Sequence, residues 1–193
     1  MSIPQQKPAK LLIQMSGAPG SGKSTVAELL RPCIGGVIID HDVLRSSLLG
    51  CANIPFDQVA GQAYHLQWAL AQDFMKQGVN VIIDSTCNYP QVLERGSSLA
   101  TQHGHAYWYV ECKVDDIDLL DQRLRRRLPM MSQRAAVDCP PGAAQGTRAG
   151  EDSRALFKKW IEMPHRPDDH AIVVDSRGSP EMLCAEIMKQ IFD

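Results

Sequence analysis

The rhythm of apolar and polar positions changes repeatedly along the chain. Short apolar runs at about residues 10–16, 36–40, 79–84, 105–111 and 170–175 alternate with stretches whose apolar residues recur every three or four positions. That alternation predicts β-α units building a parallel sheet. Helices are expected from Lys23 to about Cys33, from Asp57 toward Gly78, from Pro90 to His103-Gly104, from Asp115 or Asp116 through Arg127, and from about Ser179 to Ile191. In the second of these Asp57 reads as the N-cap, and Tyr64, Trp68, Ala71 and Met75 share one face before Gly78 ends the helix. Pro90 suits a first helical turn. Tyr107, Trp108 and Tyr109 alternate along the fourth strand and read as core and sheet surface.

Residues 128–150 break the rhythm. They hold three prolines and three glycines and show no sustained period. A loop of that length inside a compact domain is usually functional or disordered. Nine Lys/Arg stand against four Asp/Glu between residues 121 and 160. A lid closing arginines, Arg134 among them, over a bound anion is the favoured reading; a solvated basic face is the plainer one.

The anion is suggested by Gly17-Ala18-Pro19-Gly20-Ser21-Gly22-Lys23-Ser24, which follows the first apolar run and spells G-x-x-x-x-G-K-[ST]. A strand feeding such a loop into a helix is the setting of a P-loop. Glycines let successive N–H groups converge on phosphate oxygens where a side chain would intrude. The helix start adds its positive dipole end. Lys23 can reach the β- and γ-phosphates, and the Ser24 hydroxyl can ligate Mg²⁺. Residues 17–24 and Thr25 are therefore the expected binding site for ATP.

In open α/β sheets ligands gather at the carboxyl ends of the strands. The second strand ends in Asp40-His41-Asp42, with Arg45 three residues beyond Asp42. Asp42 can orient or deprotonate an attacking hydroxyl, and Arg45 can hold a phosphate or acceptor group; the plainer reading of Asp42 is an N-cap. His41 could tune the aspartates or face solvent in a turn. The third strand ends in Asp84-Ser85-Thr86, where an aspartate commonly supports Mg²⁺. Thr86 and Asn88 fit either substrate contact or turn chemistry. Asp40, Arg45, Asp84 and Arg134 are thus expected on the substrate side, with Ser24 and Asp84 around the metal.

Composition narrows the partners. The 193 residues suit one α/β domain, with 1–9 a flexible arm and 128–150 the lid. A net charge of −2 provides no bulk attraction for nucleic acid or an anionic membrane. Six scattered cysteines without a C-x-x-C pair read as buried reduced thiols. Neither a signal-peptide core nor an eighteen-residue apolar run is present, which points to the cytoplasm and no membrane partner.

The order P-loop, Asp-His-Asp-x-x-Arg, Val-Ile-Ile-Asp-Ser-Thr, arginine-rich helix end and lid resembles the P-loop kinases grouped around the kinase domain of polynucleotide kinases. Chloramphenicol phosphotransferase and the zeta toxins are more distant kin. The resemblance spans Leu11 to Asp175 and is strongest at Ser16–Thr25 and Asp42-x-x-Arg45. It implies that Asp42 activates the acceptor hydroxyl, that Arg45 binds the acceptor, that Arg123 contacts the nucleotide and that Arg127 contacts the transferring phosphates. Two departures concern the acceptor. Cys87 stands where the family commonly has asparagine, and residues 136–150 do not align.

The expectation is an α/β P-loop NTPase/kinase fold, a five-stranded parallel sheet with helices on both faces and an arginine-bearing lid. Its catalytic residues would be Lys23, Asp42 and Arg127, and it would move the ATP γ-phosphoryl to a small-molecule or nucleoside-like hydroxyl. A polynucleotide 5′-hydroxyl kinase is the first alternative, with nucleic acid entering only as a 5′ end. A nucleotide-dependent switch or NTPase without acceptor is the second.

Overall fold

A computed structural model describes residues 10–51, 54–144, 148 and 150–193. The expected arm at 1–9 and part of the expected lid, residues 145–147 and 149, lie outside the described residues. In chain order the elements are β1 (Leu11–Ser16), α1 (Lys23–Ile34), β2 (Gly36–Asp40), α2 (His41–Cys51), α3 (Phe56–Lys76), β3 (Asn80–Asp84), α4 (Pro90–Gln102), β4 (Ala106–Lys113), α5 (Ile117–Arg125), α6 (Ser153–Glu162), β5 (Ala171–Asp175) and α7 (Pro180–Phe192). The five strands form one parallel sheet in the order β2-β3-β1-β4-β5. The α/β sheet expected from the apolar runs is the sheet observed.

Both faces of the central strands are covered, which explains why β1 and β3 read as continuous apolar runs. On one side Leu11, Ile13 and Met15 pack with Val26 and Leu30 of α1 and Leu183 and Ile187 of α7. On the other, Leu12 joins Val81, Ile83 and Tyr109 against Trp68 and Met75 of α3 and Leu99 of α4. A third cluster joins Leu120 and Leu124 of α5 to Phe157 and Ile161 of α6 and takes in Val137 of the long loop. That loop is therefore anchored in its middle by buried apolar side chains.

Local signals account for most boundaries and correct several. Asp116 caps α5 by accepting the N–H groups of Asp118 and Leu119, but the helix stops at Arg125 and leaves Arg127 in the loop. Asp57 is not the N-cap of α3; Pro55 holds that position, and Asp57 sits in the first turn. α6 was not anticipated. Three of the six cysteines, Cys87, Cys112 and Cys184, are buried thiols, whereas Cys33, Cys51 and Cys139 are exposed. Among the described residues no helix is long and apolar enough to cross a membrane.

Candidate active site

The loop between β1 and α1 turns tightly, with φ positive at Gly17, Gly20 and Gly22. At Gly17 a Cβ would stand 2.5 Å from the carbonyl oxygen of Cys112, so only glycine lets β4 approach the loop. The Ser21 N–H donates to Ala18 O at 3.0 Å and closes the turn. Lys23 opens α1 and is buried, while Ser24 is exposed beside it.

Arg123, expected at the nucleotide, reaches the phosphate-binding loop. Its guanidinium donates to Gly20 O and Ser21 O, both at 3.4 Å, and to Ser176 O at 2.9 Å. The Ser176 hydroxyl donates to Ser21 O as well. Two segments distant in sequence, α5 and the turn after β5, thus brace the phosphate-binding loop from its carbonyl side.

A cavity of ≈ 660 Å³ opens next to this loop. Pro19 and Lys23 stand at one part of its wall, Asp42 and Arg45 at another, and Arg127 with Ser132 and Gln133 at a third. The sheet topology explains the meeting: β1 and β2 flank β3, and their carboxyl ends deliver the loop and α2 to the same edge. Phe56, Tyr64, Tyr89 and Trp160 supply aromatic surface. Arg45 stacks its guanidinium 4.1 Å from the Phe56 ring centre and donates to Phe56 O at 3.3 Å. Burial, with Arg148 nearby, draws the Arg45 pKa below its ordinary value despite the attraction of Asp42.

Asp42 is not the cap of α2. That position belongs to Asp40, whose Oδ1 accepts the N–H groups of Asp42 at 2.7 Å and Val43 at 3.3 Å. The Asp42 carboxylate is left for side chains: Ser132 Oγ donates to Oδ1 at 3.1 Å and Gln133 Nε2 to Oδ2 at 2.9 Å. Burial pushes its pKa up, but Lys23, Gln133, His41 and Ser132 outweigh that and hold it below the ordinary carboxylate value. His41 does not face solvent. It is buried, its Nδ1 lies 3.2 Å from Gln67 Oε1, and its ring centre is 4.1 Å from that of Tyr64. Burial lowers its pKa, favouring the neutral imidazole.

Two residues expected on the substrate side stand apart from the cavity wall. Among the described residues neither Asp40 nor Asp84 lines the cavity. Strand ends lie beneath the helix starts that follow them, so Asp40 is used as a cap and Asp84 is buried next to it. Asp84 Oδ1 has no hydrogen-bond partner. A buried, unpartnered carboxylate oxygen on the strand beside β1 fits a hard cation, and the exposed Ser24 hydroxyl fits a second oxygen ligand.

The lid arginines divide. Arg127 lines the cavity, donates to Arg134 O at 3.3 Å and has a buried Nε without a partner. Burial lowers its pKa against the pull of Asp42 and Asp40. Arg134 is engaged by protein: it pairs with Glu151 and donates to Val137 O and Ser153 Oγ. It still borders the cavity, but it ties the loop together. Glu151 also accepts from Arg148 at 2.7 Å. Cys87, the departure from the family pattern, is buried and donates to Met15 O, with its thiol pushed up to about 12 by burial. Its neighbours Thr86 and Asn88 line the cavity instead.

The parallel sheet, the glycine loop and the cavity at the strand ends define a nucleotide-binding protein of the P-loop kinase type. The chain belongs to the AAA_33 family, described as an AAA domain, whose model matches residues 12–138. No curated protein matches it in sequence. Among solved structures it is similar to a protein from Chloroflexus aurantiacus assigned as a kinase, with TM-score 0.71 and 17% identity over 95% of this chain and 97% of that one. The APS kinase of Mycobacterium tuberculosis, in complex with AMPPNP and APS, superposes with TM-score 0.63 at 15% identity over 97% and 100% of the two chains. A gluconokinase from Sinorhizobium meliloti gives 0.57 at 16% identity over 94% and 90%. At these identities the likeness is one of fold.

Proposed function

We propose that this protein transfers the γ-phosphoryl group of ATP to the hydroxyl of a small-molecule or nucleoside-like acceptor. One observation carries the reading: Lys23 of the phosphate loop and Asp42 of α2 line the same cavity. The loop N–H groups and Lys23 would hold the β- and γ-phosphates. Ser24 and Asp84 would hold Mg²⁺, which when bound neutralises charge on the β- and γ-phosphate oxygens.

The acceptor enters from the side of Arg45 and Phe56, with its hydroxyl against Asp42. A depressed pKa makes Asp42 a carboxylate at neutral pH, suited to orient the hydroxyl and receive its proton as the new O–P bond forms. The bond from the γ-phosphorus to the bridging oxygen breaks at the same time, and ADP leaves with that electron pair. Arg127 lines this space and would meet the charge of the moving phosphoryl group.

Asp42→Asn tests the assignment. Transfer should fall by about 10²–10⁴-fold, the usual contribution of a general base. ATP affinity should persist, because Lys23, Ser24 and the loop are untouched. Collapse of ATP binding with normal transfer per bound ATP would move Asp42 to the metal side and make Asp84 the better base.

A further inference from the structure

The carboxylate assigned to the acceptor is held by residues far from it in the chain. Ser132 and Gln133, from the loop between α5 and α6, donate one hydrogen bond to each Asp42 oxygen. Ser132 is itself fixed to the next turn of α2. Its N–H donates to Ser46 Oγ at 3.1 Å, and the Ser46 hydroxyl donates back to Ser132 Oγ at 2.9 Å. Asp42 and Ser46 are four residues apart, so both face the docked loop. The Ser132 hydroxyl stands 3.1 Å from Asp42 Oδ1 and 3.2 Å from Asp42 O, so its one proton is shared between two acceptors of the same residue, and Ser46, Ser132 and Asp42 form one connected chain.

An aspartate in the first turn of a helix ordinarily rotates about its side-chain torsions. Here two donors from another element fix it, and each oxygen keeps a second lone-pair site for a hydroxyl in the cavity. We propose that Ser132 and Gln133 are positioning residues for phosphoryl transfer, holding the acceptor-activating carboxylate in place from the loop that packs on α2. This rests on the reading of Asp42 given above. The loop therefore serves the acceptor end of the site as well as the phosphates. The other charged or titratable groups facing Asp42 are Lys23 of α1, Asp40 at the end of β2, His41 and Arg45 of α2, Tyr64 of α3, and Arg127 after α5. The proposed variants alter none of them.

The test uses the full chain and the variants Gln133→Ala, Ser132→Ala and Ser132→Thr. The Asp42 carboxyl carbon is followed by ¹³C NMR against pH, its resonance identified by its loss in Asp42→Asn. Removing either donor should raise its midpoint by about one unit, since donors favour the charged form. ATP turnover is then measured with water as the acceptor. The two alanine variants should lose about tenfold in kcat at unchanged KM for ATP, and Ser132→Thr should restore most of it. An unmoved midpoint, or a loss confined to KM and thermal stability, would overturn the proposal. Asp42→Asn separates the two claims. Wild-type turnover in that variant removes the Asp42 reading and the positioning role with it. Slow turnover there, with the Ser132 and Gln133 variants at the wild-type kcat, removes the positioning role alone.

Discussion

Asp40 and Asp84 stand opposite each other in register at the carboxyl ends of the adjacent parallel strands β2 and β3. Burial, then the charges of Asp84 and Asp42, raise the Asp40 carboxyl from 3.8 to about 6. Two backbone N–H donors only partly counter this. A pair of acids drawn together under a phosphate-binding loop is costly for the free protein and suits a site that receives a cation.

A stability profile follows from this pair. Between about pH 4 and pH 6 folded Asp40 keeps a proton that the unfolded chain has released. Its contribution is therefore full below the unfolded value and is lost as pH rises through about 6. In metal-free buffer the urea midpoint of the wild type should fall across that window relative to Asp40→Asn. Parallel pH profiles for the two proteins would show that Asp40 carries no such proton.

Lys23 is the cation that the loop itself brings to the cavity. Lys23→Ala should reduce turnover by at least about 10²-fold, the scale of losing one charge-stabilising donor. Circular dichroism should remain that of a folded α/β protein. Full activity in a folded variant would reject the ATP site.

Arg127 lies beyond the end of α5, half-buried at the cavity wall with an unpartnered Nε. Arg127→Ala should depress transfer more than ATP binding, by about 10²-fold in kcat, because the charge it meets grows as the phosphoryl group moves. Equal losses in kcat and in ATP affinity would make it a ground-state phosphate ligand.

Glu151 holds two arginines, one of them, Arg134, nearly fully buried. Glu151→Ala would leave that guanidinium with only neutral acceptors, at a cost of about 2 kcal/mol. Denaturant unfolding should show the loss, and a protein of unchanged stability would show that the pair adds nothing to the fold.

Period and punctuation carried much of this architecture. Continuous apolar runs marked all five strands within a few residues, most plainly the central β1, which is buried on both faces, whereas the edge strand β5 alternates buried and exposed positions. The glycine loop declared itself, since Gly17 and Gly20 leave room for the close carbonyls of Cys112 and Leu120. α6 was missed although Asp152 caps it and Leu156, Phe157, Trp160 and Ile161 share a face; it is short, and the irregular loop before it masked its start. The division of labour between Asp40 and Asp42 follows from which carboxylate reaches the free N–H groups of α2, a matter of backbone direction at the strand end. The partners of Asp42 lie 90 and 91 residues away, and no local pattern announces them.

The central claim is transfer of the γ-phosphoryl group to a hydroxyl seated against Asp42. It is tested most directly by incubating the protein with γ-labelled ATP and a panel of small hydroxyl compounds, sugars, nucleosides and 5′-hydroxyl oligonucleotides. The account predicts label on a small acceptor, ADP release that rises with that acceptor, and loss of both in Lys23→Ala and Asp42→Asn. Label released only as inorganic phosphate, indifferent to every hydroxyl offered, would make the protein an NTPase. Efficient labelling of oligonucleotide 5′ ends, with binding that weakens steeply with salt, would contradict the small acceptor.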